Sequence, residues 1–295
     1  MKLRLGLSTC PNDTFAFHAI LERRIDLRGL EFDADLLDVQ HLNDGLFAGR
    51  YDVSKASFYA ALLLAGDYGV VRAGSALGFG VGPLLVAARP DARPDTATRV
   101  LCPGATTTAT LLYRCLHPGQ GEIDHAVFSD IGAALRRGDA DLGVLIHEGR
   151  LTYRRDGLVL IEDLGASFEQ LARAPVPLGG ILARLTLPED VIERFTTVLR
   201  DSIAYAWAHK DDVLVTIRRH AQEIGEDVIW PYVDLYVTDH TVDLGDDGAA
   251  ALKTLERTAV AAGALPEGTP PLRVLGRNTP LPEPRERIAS SETSV

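Results

Sequence analysis

The segment Asp141-Leu142-Gly143-Val144-Leu145-Ile146-His147-Glu148-Gly149-Arg150 delivers a histidine at the end of an apolar run. Val144 to Ile146 have the composition of a central strand covered on both faces. In open α/β sheets, ligands collect beyond the carboxyl ends of such strands. An imidazole titrates near neutrality, so His147 placed there is a candidate general base. The competing reading is a histidine that caps or bonds local backbone, and the segment alone leaves both open.

A second candidate is Pro103-Gly104-Ala105-Thr106-Thr107-Thr108-Ala109, between a strand and a helix running to Leu116. A glycine turn, adjacent hydroxyls and unpaired helix N-terminal amides suit a carboxylate or phosphate. One threonine is needed as a cap; three exceed that need. Lys55-Ala56-Ser57 reads as a similar strand-to-helix corner, with Ser57 as a cap or ligand contact and Lys55 at a rim or in an ion pair. Adjacent Lys and Ser are not diagnostic of a catalytic dyad. Ser8-Thr9-Cys10-Pro11-Asn12-Asp13 makes a further corner, where Cys10 is either a nucleophile or a buried thiol.

Other patterns fail. His147-Glu148 starts like a zinc-protease helix, but Leu151 occupies the position of the second ligand. Gly78-Phe79-Gly80-Val81-Gly82-Pro83 lacks dinucleotide spacing and reads as backbone that flexes or closely approaches another segment. The remaining histidines, at 18, 41, 117, 125, 209, 220 and 240, show no metal spacing and read as surface or cap residues.

Strands alternate with helices to position these groups. Leu3–Leu7 reads as a strand, followed by a helix from Pro11 to Arg24, a strand at 30–37 and a helix capped by Asp38. Tyr51–Val53 and stretches near Val70, Leu84, Val100 and Asp124 read as further strands, with Ser129 capping a helix before the His147 strand. The alternation predicts a largely parallel, doubly wound sheet. From Pro188 to about Ala262 the chain reads helical. Ala88–Asp95 and Leu178–Ala183 look like crossings between lobes. One lobe is therefore expected to comprise residues 1–90 and 184–276, the other 91–183, with a ligand cleft between them and a frayed tail at 277–295.

Composition narrows the partners. The 295 residues are 46% hydrophobic, enough to bury a large core, and carry a net charge of -11. That charge argues against nucleic acid or an anionic membrane surface. No apolar run approaches membrane-spanning length. Three unevenly spaced cysteines give neither a disulfide framework nor a zinc site and fit a reducing cytoplasm. Leu7-Ser8-Thr9-Cys10 loosely matches a lipoprotein cleavage box, but the residues before it alternate like a strand, so export is not expected.

Several motifs resemble those of the 1,4-dihydroxy-6-naphthoate synthase family of the futalosine route to menaquinone. They are Ser8 to Phe15, Leu42-Asn43, Asp52 to Ser57, Gly78 to Leu84, Thr107-Thr108-Ala109, Ile146 to Tyr153 and Pro177 to Ile181, in family order over about residues 3–262. His147-Glu148-x-Arg150-x-Thr152-Tyr153 is the most specific, since chorismate dehydratase, a sister enzyme, is not expected to carry it. The resemblance implies an α/β, two-lobed fold of the periplasmic-binding-protein type II kind, recruited for catalysis. It implies a carbon–carbon lyase acting on cyclic dehypoxanthine futalosine, a small molecule with a carboxylate, without a cofactor or metal. His147 matches the family's proton acceptor; Lys55, Ala56, Ser57, Thr108 and Ala109 match substrate-contacting positions, and Thr107 and Asn43 are expected to bind substrate with them. The loop departs from the family at Ala105-Thr106, where bulkier residues are expected. A non-catalytic small-anion binder of the same fold and chorismate dehydratase are the alternatives, and the sequence leaves the oligomeric state open.

Overall fold

The structure, a computed structural model, describes residues 1–220 and 225–277. In chain order the first half runs β1 (Lys2–Ser8), α1 (Pro11–Leu21), β2 (Glu31–Leu37), α2 (Val39–Phe47), β3 (Val53–Ser57), α3 (Phe58–Leu63), β4 (Tyr68–Val71), β5 (Ala76–Gly78), β6 (Leu84–Ala87), β7 (Arg99–Cys102), α4 (Thr108–Leu116), β8 (Glu122–His125) and α5 (Phe128–Arg137). It continues through β9 (Leu142–Leu145), α6 (Gly149–Thr152), β10 (Val159–Asp163), α7 (Leu164–Ala172), β11 (Val176–Arg184), α8 (Glu189–Ala208), α9 (Lys210–His220), α10 (Glu226–Tyr236), α11 (Asp239–Val242), α12 (Gly245–Ala261) and β12 (Val274–Leu275).

These strands form two sheets. The first has the order β12-β4-β11-β3-β1-β2, with β5 paired to β11; the second runs β10-β6-β9-β7-β8. Strand β1 shows how the sequence selects its place. Leu3, Leu5 and Leu7 are fully buried against Phe17, Val53 and Phe195, while Lys2 and Arg4 face solvent. Strand β9 is buried along its whole length at the centre of the second sheet, as its unbroken apolar run requires.

The sheets are mixed rather than largely parallel. β1 pairs β2 and β3 in parallel, but β11 runs antiparallel to β3, β4 and β5, and β6 runs antiparallel to β9 and β10. Sheet membership also moves both expected crossings. β6 belongs to the second sheet, so the chain first crosses at Phe79–Pro83, and Ala88–Asp95 is a loop within the second half. β11 belongs to the first sheet, so the return lies just before Val176. Helix α12 packs on β11 but also on α4 and α7, so it spans both halves.

The glycine-rich segment makes the close approach its composition implied. A Cβ on Gly82 would collide with Gly165 Cα, at the start of α7. Arg150 locks this contact by donating to Gly82 O at 2.7 Å and to Asp163 at 2.8 Å. Local caps mostly follow the sequence. Asp38 accepts from Gln40 N at 2.8 Å, whereas α5 starts at Phe128, placing Ser129 inside the helix rather than at its cap. Helix α1 stops at Leu21, short of Arg24. Of the expected tail, residues 278–295 lie outside the described residues.

Candidate active site

His147 lies two residues beyond β9, with a left-handed backbone at φ 55°. Such a conformation costs a non-glycine residue about 1–3 kcal/mol and persists only where its surroundings hold it. Here the turn into α6 aims the ring at a cavity between the two sheet-bearing halves. The side chain is half-buried. Its Nδ1 lies 2.9 Å from the Tyr232 hydroxyl and 3.4 Å from Cys10 Sγ, and its ring meets Phe128 edge-on at 4.8 Å. Burial, reinforced by the charge of Lys55, pulls the imidazole down to about 3, so it is neutral at pH 7.

The cavity wall beside His147 comes from α1, β3 and α10. Cys10 precedes α1, and its thiol is pushed up by burial and by Asp13, so it is a neutral thiol at physiological pH. Asp13, in the first turn of α1, holds Lys55 Nζ at 2.6 Å with both side chains almost wholly buried. Burial raises the Asp13 carboxyl while Lys55 pulls it back down. Tyr232 and Tyr236, one turn apart on α10, pack as a tilted ring pair at 4.5 Å, and burial raises both phenols.

Lys55, Ala56, Ser57, Thr107, Thr108 and Ala109 all line this cavity together with His147. Lys55 to Ser57 closes β3, which extends that far to pair with β11, and Ser57 stands at the N-cap position of α3 without a side-chain cap bond. Asn43 does not line the cavity. It is fully buried behind β3, with Oδ1 accepting from Ser57 N at 3.1 Å and Nδ2 donating to Ser57 Oγ at 3.2 Å and Thr106 O at 3.4 Å.

The threonine hydroxyls are engaged by the protein itself. Thr106 donates to Gln40 Oε1; Thr107 caps α4 and bonds Gly104 O. Thr108 Oγ1 donates to Leu178 O at 2.6 Å and accepts from Tyr59 N at 3.2 Å, tying α4 to the first sheet. What remains for an anion is the first-turn amides of Thr108 and Ala109, which helix geometry leaves without intrahelical acceptors.

Sequence reading missed Asp13, Tyr232 and Tyr236 as cavity groups and the contact between Cys10 and His147. The only signal for Asp13 was its place beside Cys10 in the corner after β1. Nothing local marked the tyrosines. His18, read as surface or cap, is instead buried, with Nδ1 2.9 Å from Thr216 Oγ1. Among the described residues, no cluster of His, Cys, Asp or Glu is arranged to hold a metal, and no helix is long and apolar enough to cross a membrane.

Residues 3–261 match a family model described as menaquinone biosynthesis. The chain is 39% identical over 272 residues to the 1,4-dihydroxy-6-naphthoate synthase of Thermus thermophilus, covering 92% of this chain and 99% of that protein. It is 35% identical over 269 residues to the enzyme of the same name from Streptomyces coelicolor, covering 90% and 95%. Among solved structures, protein AF1704 from Archaeoglobus fulgidus superposes with a TM-score of 0.84 at 31% identity, over 89% of this chain and 98% of that one. The alkanesulfonate-binding protein SsuA from Xanthomonas axonopodis, solved bound to MOPS, shares the fold with a TM-score of 0.68 at 14% identity, over 90% and 94%. The architecture is thus the two-lobed periplasmic-binding-protein fold.

Proposed function

The chain belongs to the menaquinone-biosynthesis family whose curated relatives are 1,4-dihydroxy-6-naphthoate synthases, and from that membership we propose that it cleaves cyclic dehypoxanthine futalosine with His147 as general base. The observation that carries this reading is a neutral imidazole facing a cavity otherwise walled by buried side chains. His147 takes a proton from the polycyclic substrate, the carbon–carbon bond to the sugar-derived ring breaks, and the proton is returned to the departing fragment. The naphthoate left behind is aromatic, and aromatisation drives the step.

A base with its pKa near 3 is present in the right form but weakly basic. Burial is the larger cause of that depression and the charge of Lys55 the smaller, so a substrate carboxylate beside Lys55 relieves only the second and raises the basicity of His147 in part. The amides of Thr108 and Ala109 at the N-terminus of α4 receive that carboxylate. Ser57 and Lys55 face it from β3, and Thr107 contributes by holding the turn. The cleft also excludes water from the reacting centre. A biosynthetic role of this kind, with three free cysteines, supports a cytoplasmic setting.

Incubation with cyclic dehypoxanthine futalosine, followed by chromatography, tests the proposal. Consumption with appearance of 1,4-dihydroxy-6-naphthoate is expected. Recovery of the ligand intact would make the chain a binder, and dehydration of chorismate instead would make it the sister enzyme.

A further inference from the structure

We propose that Tyr232 is a positioning residue for His147: its hydroxyl accepts the Nδ1 proton and so leaves the Nε2 lone pair as the basic site. This deepens the general-base reading above and rests on it. A neutral imidazole carries one ring proton, and the nitrogen that holds it cannot act as the base. Which tautomer exists is set by what the other nitrogen bonds. Nδ1 is the atom with the short contact, 2.9 Å to Tyr232 Oη, whereas Cys10 Sγ lies 3.4 Å from Nδ1 and 3.6 Å from Nε2 and so does not choose between the two nitrogens.

Three features make Tyr232 able to hold the ring rather than merely touch it. It is 1% exposed, so its hydroxyl has little competing water. Its ring packs against Tyr236 in a tilted pair at 4.5 Å, which restrains the phenol plane. Its suppressed ionisation keeps the oxygen an uncharged partner. The bond also joins the two halves of the molecule. Tyr232 sits on α10, which packs on α1 and β5 of the first sheet, whereas His147 follows β9 of the second. Nδ1 therefore finds its acceptor only when the halves are together, so closure of the cleft and orientation of the base are one event.

Nitrogen NMR on the free protein with labelled histidine reads the tautomer directly, and Tyr232→Phe keeps the ring and its packing on Tyr236 while removing the acceptor. The expected wild-type spectrum shows His147 protonated at Nδ1, and the variant shows the proton redistributed between the two nitrogens. The variant's kcat should fall about tenfold, the scale of one lost hydrogen bond, while KM stays within about twofold. A wild-type ring protonated at Nε2, or an unchanged tautomer and kcat in the variant, would overturn the assignment. His147→Ala separates this from failure of the underlying reading. If that variant turns over normally, the general base itself is wrong, whereas a His147→Ala defect beside a Tyr232→Phe variant of normal kcat sinks only the role of Tyr232.

Discussion

Replacing Asp13 by Asn tests the electrostatics of the cavity floor. Asn is nearly isosteric, so the change removes charge and leaves packing alone. Asp13 Oδ1 and Lys55 Nζ lie 2.6 Å apart with side chains 5% and 7% exposed. At an effective dielectric of about 20 their gross attraction is about 6 kcal/mol, most of which offsets the cost of burying both ions. Removing one partner leaves the other buried and uncompensated, a loss of about 3–5 kcal/mol. For a chain of this size each kcal/mol moves the melting temperature by roughly 2–3 °C, so a drop of about 6–15 °C is expected in calorimetry or circular dichroism. Adding Lys55→Met to the same protein should recover most of it, because the stranded charge is then gone. An Asp13→Asn variant melting within about 2 °C of the parent would refute the reasoning, since a pair that costs so little to break is effectively solvated.

Acid should weaken the fold through His147: its folded value of about 3 lies below the unfolded value of about 6.5, so between these the unfolded chain binds a proton that the native one does not. Stability should therefore fall as pH drops through that window, more steeply than in His147→Gln; parallel melting-temperature profiles would contradict this. Thr108→Val removes the hydroxyl bonded to Leu178 O and Tyr59 N, so melting temperature should fall along with a rise in KM, each stranded backbone group costing about 1–3 kcal/mol. A change in KM with unaltered stability would show those bonds to be dispensable. Gly82→Ala forces a Cβ against Gly165 backbone, which cannot yield as a flexible side chain can, and a loss of about 1–3 kcal/mol is expected by chemical denaturation; wild-type stability would refute that close contact.

The elements legible in the sequence were those set by local chemistry. Asp38 caps its helix as its position suggested, and of the three threonines Thr107 is the one that caps, because in each a side-chain oxygen satisfies an amide two or three residues away. The alternation in β1 and the unbroken apolar run of β9 likewise reflect burial read along a few residues. Strand direction was not legible: β11 pairs with β3, more than a hundred residues earlier in the chain, and alternation of strands and helices says nothing of such a return. The same holds for the site. His147 and the Lys55–Ser57 and Thr107–Ala109 segments stood out by type and by family resemblance. The partners of the imidazole, Cys10 and Tyr232, lie 137 and 85 residues away and meet it only in the folded cleft. The threonine hydroxyls show the converse error. Their number read as ligand-binding capacity, but Thr106 and Thr108 tie the loop to neighbouring segments and Thr107 closes its own turn and caps α4, leaving the helix amides for an anion.

The most direct test of the account is the turnover of His147→Ala on cyclic dehypoxanthine futalosine, measured with ligand affinity on the same preparation. General-base catalysis contributes about a hundred- to ten-thousand-fold, so kcat should fall within that range while affinity changes much less. Turnover close to that of the parent protein would remove the imidazole from the chemistry.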